Sequence, residues 1–163
     1  MITIYIKSKT YGVKGIHIDA KDFALVNKYH WSLKKHKNSN TFYTETRHNY
    51  KQIFLHRLLM NFPSIGIDHI NGNGLDNRKS NLRLCNQSQN ACNKKKKKNN
   101  KTGYKGVYYK KDKRRIKRWL AKININKKTI MGGYFLTVKE AAYKYNELAL
   151  EYHGEFANLN IID

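Results

Sequence analysis

The sequence predicts an α+β chain in three parts. These are a small β-rich N-terminal region (1–50), a strand–loop–strand–helix segment (51–99), and a C-terminal three-stranded antiparallel sheet packed on one helix (100–163). Three observations predict this. Apolar and polar side chains alternate in short runs at both ends of the chain, the period of a half-buried strand. A dense polar string from Asp68 to Arg83 contains the Gly and Asn residues that make tight turns. A 3.6-period apolar stripe near the C-terminus follows a helix-start signal.

In the first part, Ile2–Ile6, Gly15–Ile18 and Thr41–Arg47 read as strands, and Lys21–Lys28 as a short helix after Asp19. The run from Lys34 to Asn38 reads as a turn or loop, and no catalytic pattern is visible in this part. In the second part, an apolar segment from Ile53 to Phe62 ends at Pro63. Ile67–Ile70 is a brief strand, Asn71-Gly-Asn-Gly74 a turn, Asn81–Leu84 a second strand and Ser88–Lys96 a helix. Five consecutive lysines, Lys94–Lys98, resist packing and read as the fraying helix end and a linker.

In the third part, Tyr104–Tyr109, Trp119–Ile125 and Thr129–Phe135 read as three strands. Trp119, Ala121, Ile123 and Ile125 share one face of the middle strand, and Leu120, Lys122 and Asn124 the other. Thr137 and Glu140 form a capping box. Ala141, Tyr145, Leu148, Ala149 and Tyr152 make the helix stripe, and Gly154 supplies the stop. The helix is expected to cover the apolar face and leave the basic face open.

Charge narrows the function. Thirty-three Lys and Arg face 11 Asp and Glu, a formal net charge of +22. Residues 94–128 hold 17 of those basic residues and a single acid, Asp112. Such an excess points to a polyanionic partner, nucleic acid or an anionic membrane. No apolar run approaches 18 residues and no secretory leader is evident, so the membrane reading is weak. The chain is expected to stay cytoplasmic, in a bacterial or phage-infected cell, with DNA. Cys85 and Cys92 form neither a C-x-x-C pair nor a disulfide framework and read as two reduced thiols.

The chemistry concentrates in Asp68-His-Ile-Asn-Gly-Asn-Gly-Leu-Asp-Asn-Arg-Lys-Ser-Asn-Leu-Arg83, with Asn90 seven residues beyond. Phosphodiester hydrolysis needs a base for water, a cation for the departing oxyanion, and groups that hold both in place. A neutral histidine, with a free pKa of about 6.5, suits the base. Asp and Asn oxygens are hard ligands suited to Mg²⁺. Asn71, Asn73 and Asn77 read as turn formers rather than ligands.

The string resembles the HNH nucleases of the ββα-metal fold, especially phage and mobile-intron homing endonucleases, whose DHI-G-N-LDNR-x-x-NLR signature stands nearly intact here. The resemblance implies that Asp68 binds a divalent metal, Mg²⁺ or Mn²⁺, and that His69 activates water. It implies that Asn81 hydrogen-bonds the loop and fixes the histidine, and that Asn90 is the second metal ligand. His56-Arg57-Leu58 resembles an HR-L segment that often precedes the motif, making Arg57 a candidate phosphate contact and His56 a candidate support for the site.

The C-terminal part resembles the APETALA-two/ethylene-response-factor type of DNA-binding domain. The matching strings are Gly103-Tyr-Lys-Gly-Val-Tyr108, Trp119-Leu-Ala-Lys-Ile123, Gly133-Tyr-Phe135, Val138-Lys-Glu-Ala-Ala-Tyr143 and Ala157-Asn-Leu159. Similar domains occur fused to HNH motifs. That family lays its sheet in the major groove, which implies DNA contacts from Lys105, Tyr108, Lys110, Lys122, Asn124, Thr129 and Met131. Arg114, Arg115, Lys117 and Arg118 read as phosphate grips between strands, and Trp119 as core. Tyr108, Asn124 and Met131 depart from the plant pattern, so no sequence preference carries over.

The reading is a metal-dependent homing-type endonuclease acting on double-stranded DNA, with no small-molecule cofactor. A monomer would nick and a homodimer would cut both strands. The alternative is a DNA-binding or regulatory protein with an inert HNH motif. An RNA-binding protein fits the charge but leaves the polar string unexplained.

Overall fold

The computed structural model describes residues 1–37, 41–94, 96, 99–114, 116–126 and 128–163. It is a mixed α+β chain in two compact units, Met1–Asn86 and Gln87–Asp163. The N-terminal region and the polar string thus share the first unit.

In that unit, β1 (Ile2–Ser8) and β2 (Gly12–Ile18) form an antiparallel hairpin, pairing Ile2 with Ile18 and Ile6 with Lys14. The expected helix after Asp19 is a 3-10 turn, Ala20–Asp22, running into one α-turn, α1 (Phe23–Val26). A second sheet, in the order β3 (Ser32–Lys34), β4 (Tyr43–His48), β5 (Lys51–Phe54), holds two strands that the sequence pattern missed. β3 has only three residues, and β5 begins the apolar segment that continues into α2 (Leu55–Leu59). Asn49 and Tyr50 link β4 to β5 with φ of 48° and 61°, as a two-residue hairpin turn requires.

The polar string then crosses from β6 (Gly66–His69) to β7 (Leu82–Cys85), an antiparallel pair in which Asp68 faces Arg83 and His69 faces Leu82. Asn81, expected at the start of the second strand, closes a 3-10 turn just before it. One apolar core joins these pieces: Ile6, Ile16 and Ile18 from the hairpin, Val26, Leu55 and Leu59 from the short helices, and Leu75 and Leu82 from the string. The motif therefore closes the same core that the N-terminal hairpin begins.

The second unit starts with α3 (Gln87–Cys92), shorter than the expected helix. A three-stranded antiparallel sheet follows, in the order β10 (Lys128–Phe135), β9 (Trp119–Ile125), β8 (Val107–Tyr109). α4 (Val138–His153) packs on it. The Thr137 half of the capping box forms as expected, with Glu140 N donating to Thr137 Oγ1 at 3.2 Å, while the Glu140 carboxylate accepts from Leu136 N at 3.2 Å, one residue before the cap. Ala141, Ala142, Tyr145, Leu148 and Ala149 are buried, whereas Tyr152 is exposed, so Ala142 rather than Tyr152 completes the stripe.

Two glycines allow the close packing of α4. A Cβ at Gly106, where φ is +72°, would lie 1.9 Å from the Tyr145 ring. One at Gly132, at the β10 bulge, would lie 2.8 Å from Leu148. Leu120, expected on the open polar face, is only 2% exposed. Its register neighbours on either side are Tyr108 and Tyr134.

Among the described residues, no helix is long and apolar enough to cross a membrane. Cys85 and Cys92 are free thiols.

Candidate active site

His69 ends β6, and the chain turns back at once: Gly72 N donates to the His69 carbonyl at 2.8 Å, and Ile70 N to the Asn81 carbonyl at 2.9 Å. Within the turn, Asn71 Oδ1 accepts from Asn73 N at 2.8 Å and Asn73 Oδ1 from Leu75 N at 3.1 Å, so both act as turn formers as expected. Asn81 is the knot of the loop. Its Nδ2 donates to the Asp76 carbonyl at 2.7 Å and to Asn71 Oδ1 at 3.0 Å, and its Oδ1 accepts from Asn71 N at 3.0 Å.

Asn77 takes a different part from the turn former expected. It is fully buried, and its Oδ1 lies 3.3 Å from His69 Nε2 while its Nδ2 donates to the Gly74 carbonyl at 3.4 Å. An amide oxygen only accepts, so Nε2 carries the imidazole proton and the basic lone pair is on Nδ1. Burial holds the His69 pKa below 6.5, against the Asn77 hydrogen bond and the charges of Asp68 and Asp76, which raise it. The ring is therefore neutral near pH 7, the state that a general base needs.

The N-terminal region, in which no catalytic pattern is visible by sequence, builds the wall around this loop. β2 pairs with it through its backbone: His17 N donates to the Leu75 carbonyl at 2.9 Å, and Asn77 N to the His17 carbonyl at 2.8 Å. Gly74 N donates to Thr41 Oγ1 at 2.8 Å, and a Cβ at Gly74 would lie 2.4 Å from the Phe42 carbonyl oxygen. Lys79 N donates to Asp19 Oδ2 at 2.8 Å, and its ammonium pairs with Asp22 at 3.2 Å. The Tyr43 ring stands edge-on to both His56 and His69 at 6.0 Å.

His56 and His69 meet at 5.2 Å in a T-shaped pair, with Phe54 stacked on His56 at 5.6 Å. Burial, with smaller contributions from the charges of His69 and Arg57, pushes the His56 pKa down to about 3. The structure thus brings His56 to the candidate base. Arg57, a candidate phosphate contact, donates from Nη2 to the Pro63 carbonyl and fixes the chain after α2.

Asp68 is 7% exposed and paired with Arg83, whose Nε and Nη2 donate to Asp68 Oδ2 at 3.0 and 2.8 Å. Asp76, 3% exposed, receives Arg78 through both oxygens at 2.8 and 2.7 Å, and hydrogen bonds from Arg78 hold its carboxyl below the usual range. Asp76, Asn77, Arg78 and Arg83 all lie in the string quoted above, but their types alone did not assign these partners. Tyr43 and Thr41 gave no signal in sequence, because their proximity depends on tertiary packing.

Among the described residues, no three His, Cys, Asp or Glu side chains are grouped to hold a metal ion. The donor chemistry nonetheless fits a hard cation of the Mg²⁺ type, which often takes one or two protein oxygens and completes its shell with water and phosphate. Asp68 offers a carboxylate in the first unit, and Asn90 is an exposed amide on α3 of the second.

In the second unit, Lys110 is exposed beyond β8. Lys122 lies with its ammonium 4.6 Å over the half-exposed ring of Tyr108. Asn124 Oδ1 accepts from Thr129 Oγ1 at 2.8 Å. Arg114 pairs with Asp112 at 3.3 Å on an exposed loop. Arg115 lies outside the described residues. Lys105 differs from these: its ammonium donates to the Cys92 carbonyl at 2.6 Å, at the end of α3, and burial pushes its pKa down to about 8.

The HNH endonuclease family pattern matches residues 64–92, from just before β6 to the end of α3. An uncharacterised HNH endonuclease of Acanthamoeba polyphaga mimivirus is 33% identical over 146 residues, covering 85% of this chain and 71% of its own. No solved structure matches the chain. With the motif wired around His69 and this identity running through both compact units, the chain belongs to the HNH endonuclease family.

Proposed function

We propose that this nuclease is a metal-dependent, homing-type endonuclease that hydrolyses phosphodiester bonds of double-stranded DNA. One observation carries the reading: a buried, neutral imidazole whose Nε2 is committed to Asn77, which places the lone pair on Nδ1. In the proposed reaction His69 Nδ1 takes a proton from water as the water oxygen attacks phosphorus. The P–O bond to the leaving oxygen breaks, that oxygen takes a proton from solvent water, and the imidazolium releases its own proton to solvent to restore the base. Asn81 and Asn77 are positioning residues that keep the imidazole plane and tautomer fixed, and His56 and Tyr43 pack against its ring. A divalent ion, Mg²⁺ or Mn²⁺, held by Asp68 with Asn90, would supply charge stabilisation at the leaving oxygen.

The second unit supplies duplex affinity on this reading, through an APETALA-two-like sheet whose open face presents Tyr108, Lys122 and Asn124, with Lys110 and Arg114 at its margins. A single copy nicks; a homodimer cuts both strands.

The test is cleavage of supercoiled plasmid with Mg²⁺ or Mn²⁺ by wild type and by His69→Ala, alongside DNA affinity. Cleavage is expected to fall by roughly 10³-fold or more in the variant while affinity holds. Equal cutting by the variant removes His69 from the mechanism, and metal-dependent cutting of no DNA by the folded wild type leaves a binding protein.

A further inference from the structure

Asp68 is the carboxylate to which the proposed reading assigns a divalent cation, yet it already faces one. The β6–β7 register sets Arg83 directly across from it, and two of the guanidinium nitrogens, Nε and Nη2, donate to the same oxygen, Oδ2, at 3.0 and 2.8 Å. The two side chains are 11% and 7% exposed, so water screens the pair poorly. A divalent ion arriving at this carboxylate would meet both a claimed oxygen and a positive charge within contact distance.

A guanidinium fork has a second good partner in this chemistry. Its planar donors match phosphate oxygens as well as they match a carboxylate. Moving from Asp68 to a DNA phosphate would preserve its hydrogen bonds. A structural cross-strand pair needs no such alternative partner, and the two roles predict opposite signs for metal affinity.

We infer that Arg83 is a placeholder cation of the nuclease site: it holds Asp68 until a divalent ion displaces it, and the released guanidinium then engages a phosphate of the bound DNA. This rests on the nuclease reading. The pair competes with the ion, so the apparent metal affinity of the free protein is weaker than Asp68 alone would give. DNA, by accepting the displaced guanidinium, makes the metal bind better, and by linkage the metal makes DNA bind better.

The experiment measures Mn²⁺ binding to the full-length protein by calorimetry without DNA, for wild type, Arg83→Gln and Arg83→Lys. It then measures DNA affinity with and without Ca²⁺. Arg83→Gln is expected to bind Mn²⁺ about tenfold tighter, since a competing positive charge is gone. It is also expected to lose the gain in DNA affinity that Ca²⁺ gives wild type, and to cut at least tenfold more slowly at saturating Mn²⁺. Arg83→Lys keeps a charge without the fork, so its Mn²⁺ affinity stays near wild type while cleavage remains low.

Mn²⁺ affinity that is unchanged or weaker in folded Arg83→Gln overturns the inference and leaves a structural ion pair. Should that variant fail to fold, Arg83→Lys decides: wild-type cleavage and an undiminished Ca²⁺ gain would overturn it equally. The nuclease reading fails separately. Tighter Mn²⁺ binding in Arg83→Gln, with a wild type that cuts no DNA, keeps the competition at Asp68 and removes the enzyme.

Discussion

In and around the loop from Asp68 to Asn81, the first unit buries five polar side chains, Asp68, His69, Asp76, Asn77 and Asn81, each 7% exposed or less. In the second unit, side chains expected to meet DNA, such as Lys110, Arg114 and Asn124, stand in solvent over a core that includes four alanines. The difference is one of constraint. A buried polar group needs a specific partner with the right geometry, so its neighbours in sequence are fixed with it. An exposed charge is satisfied by water and tolerates exchange. Chemistry is therefore written residue by residue in the first unit, and only as net charge in the second.

The sharpest way to break this comparison is to attack the second unit where it is constrained, in its packing. Gly106→Ala would put a methyl group against the Tyr145 ring at a positive φ and is expected to destabilise that unit by about 3 kcal/mol. Urea unfolding followed by Trp119 fluorescence in a Trp31→Phe background checks it. In the first unit, Asn81→Ala removes three hydrogen bonds from the knot of the loop. A loss of about 2 kcal/mol is expected, with cleavage down roughly 100-fold and DNA affinity nearly unchanged. Unaltered cleavage would mean that the loop does not fix His69.

Acid should separate the units in degree. His56, with a folded pKa of about 3, takes up a proton on unfolding as pH drops below 6.5. Its contribution to stability is complete above 6.5 and declines by about 1.4 kcal/mol per pH unit down to about 3. His69, also lowered by burial, adds a slope of the same sign, and Asp76 extends it at lower pH as its depressed carboxyl protonates. In the second unit His153 is lowered by burial too, which gives one histidine with a depressed pKa there against two in the first. Trp31 fluorescence in a Trp119→Phe background should report the steeper loss, and His56→Phe should flatten it. The smallest effect is Thr137→Ala, which removes the α4 cap and should cost about 1 kcal/mol in the second unit without changing cleavage chemistry.

The same contrast explains what was legible in sequence. The β9 strand, the α4 N-cap and the Gly154 stop rest on local signals and appear where expected, with Leu120 the one β9 residue that departs from the alternation. The Asn81 knot follows the family signature. β3 and β5 did not show, being too short for a periodic signal, and Tyr152 and Ala142 traded places because the sheet, not the helix, decides which flank is covered. The partners of Asp68 and the inward turn of Lys105 were beyond reach for a single physical reason. A charged residue in a sequence does not say whether it faces water, a backbone carbonyl or an opposite charge across a strand.

The backbone pairing of His17 with Leu75 and Asn77 has a practical consequence for anyone hoping to move this motif elsewhere. A segment cut out at residues 64–92 would leave behind the strand edge that satisfies its loop and the aromatic wall beside its imidazole. Transplantation into a foreign scaffold would need the opening hairpin and Tyr43 as well, making the smallest portable cassette nearly as long as the first unit itself.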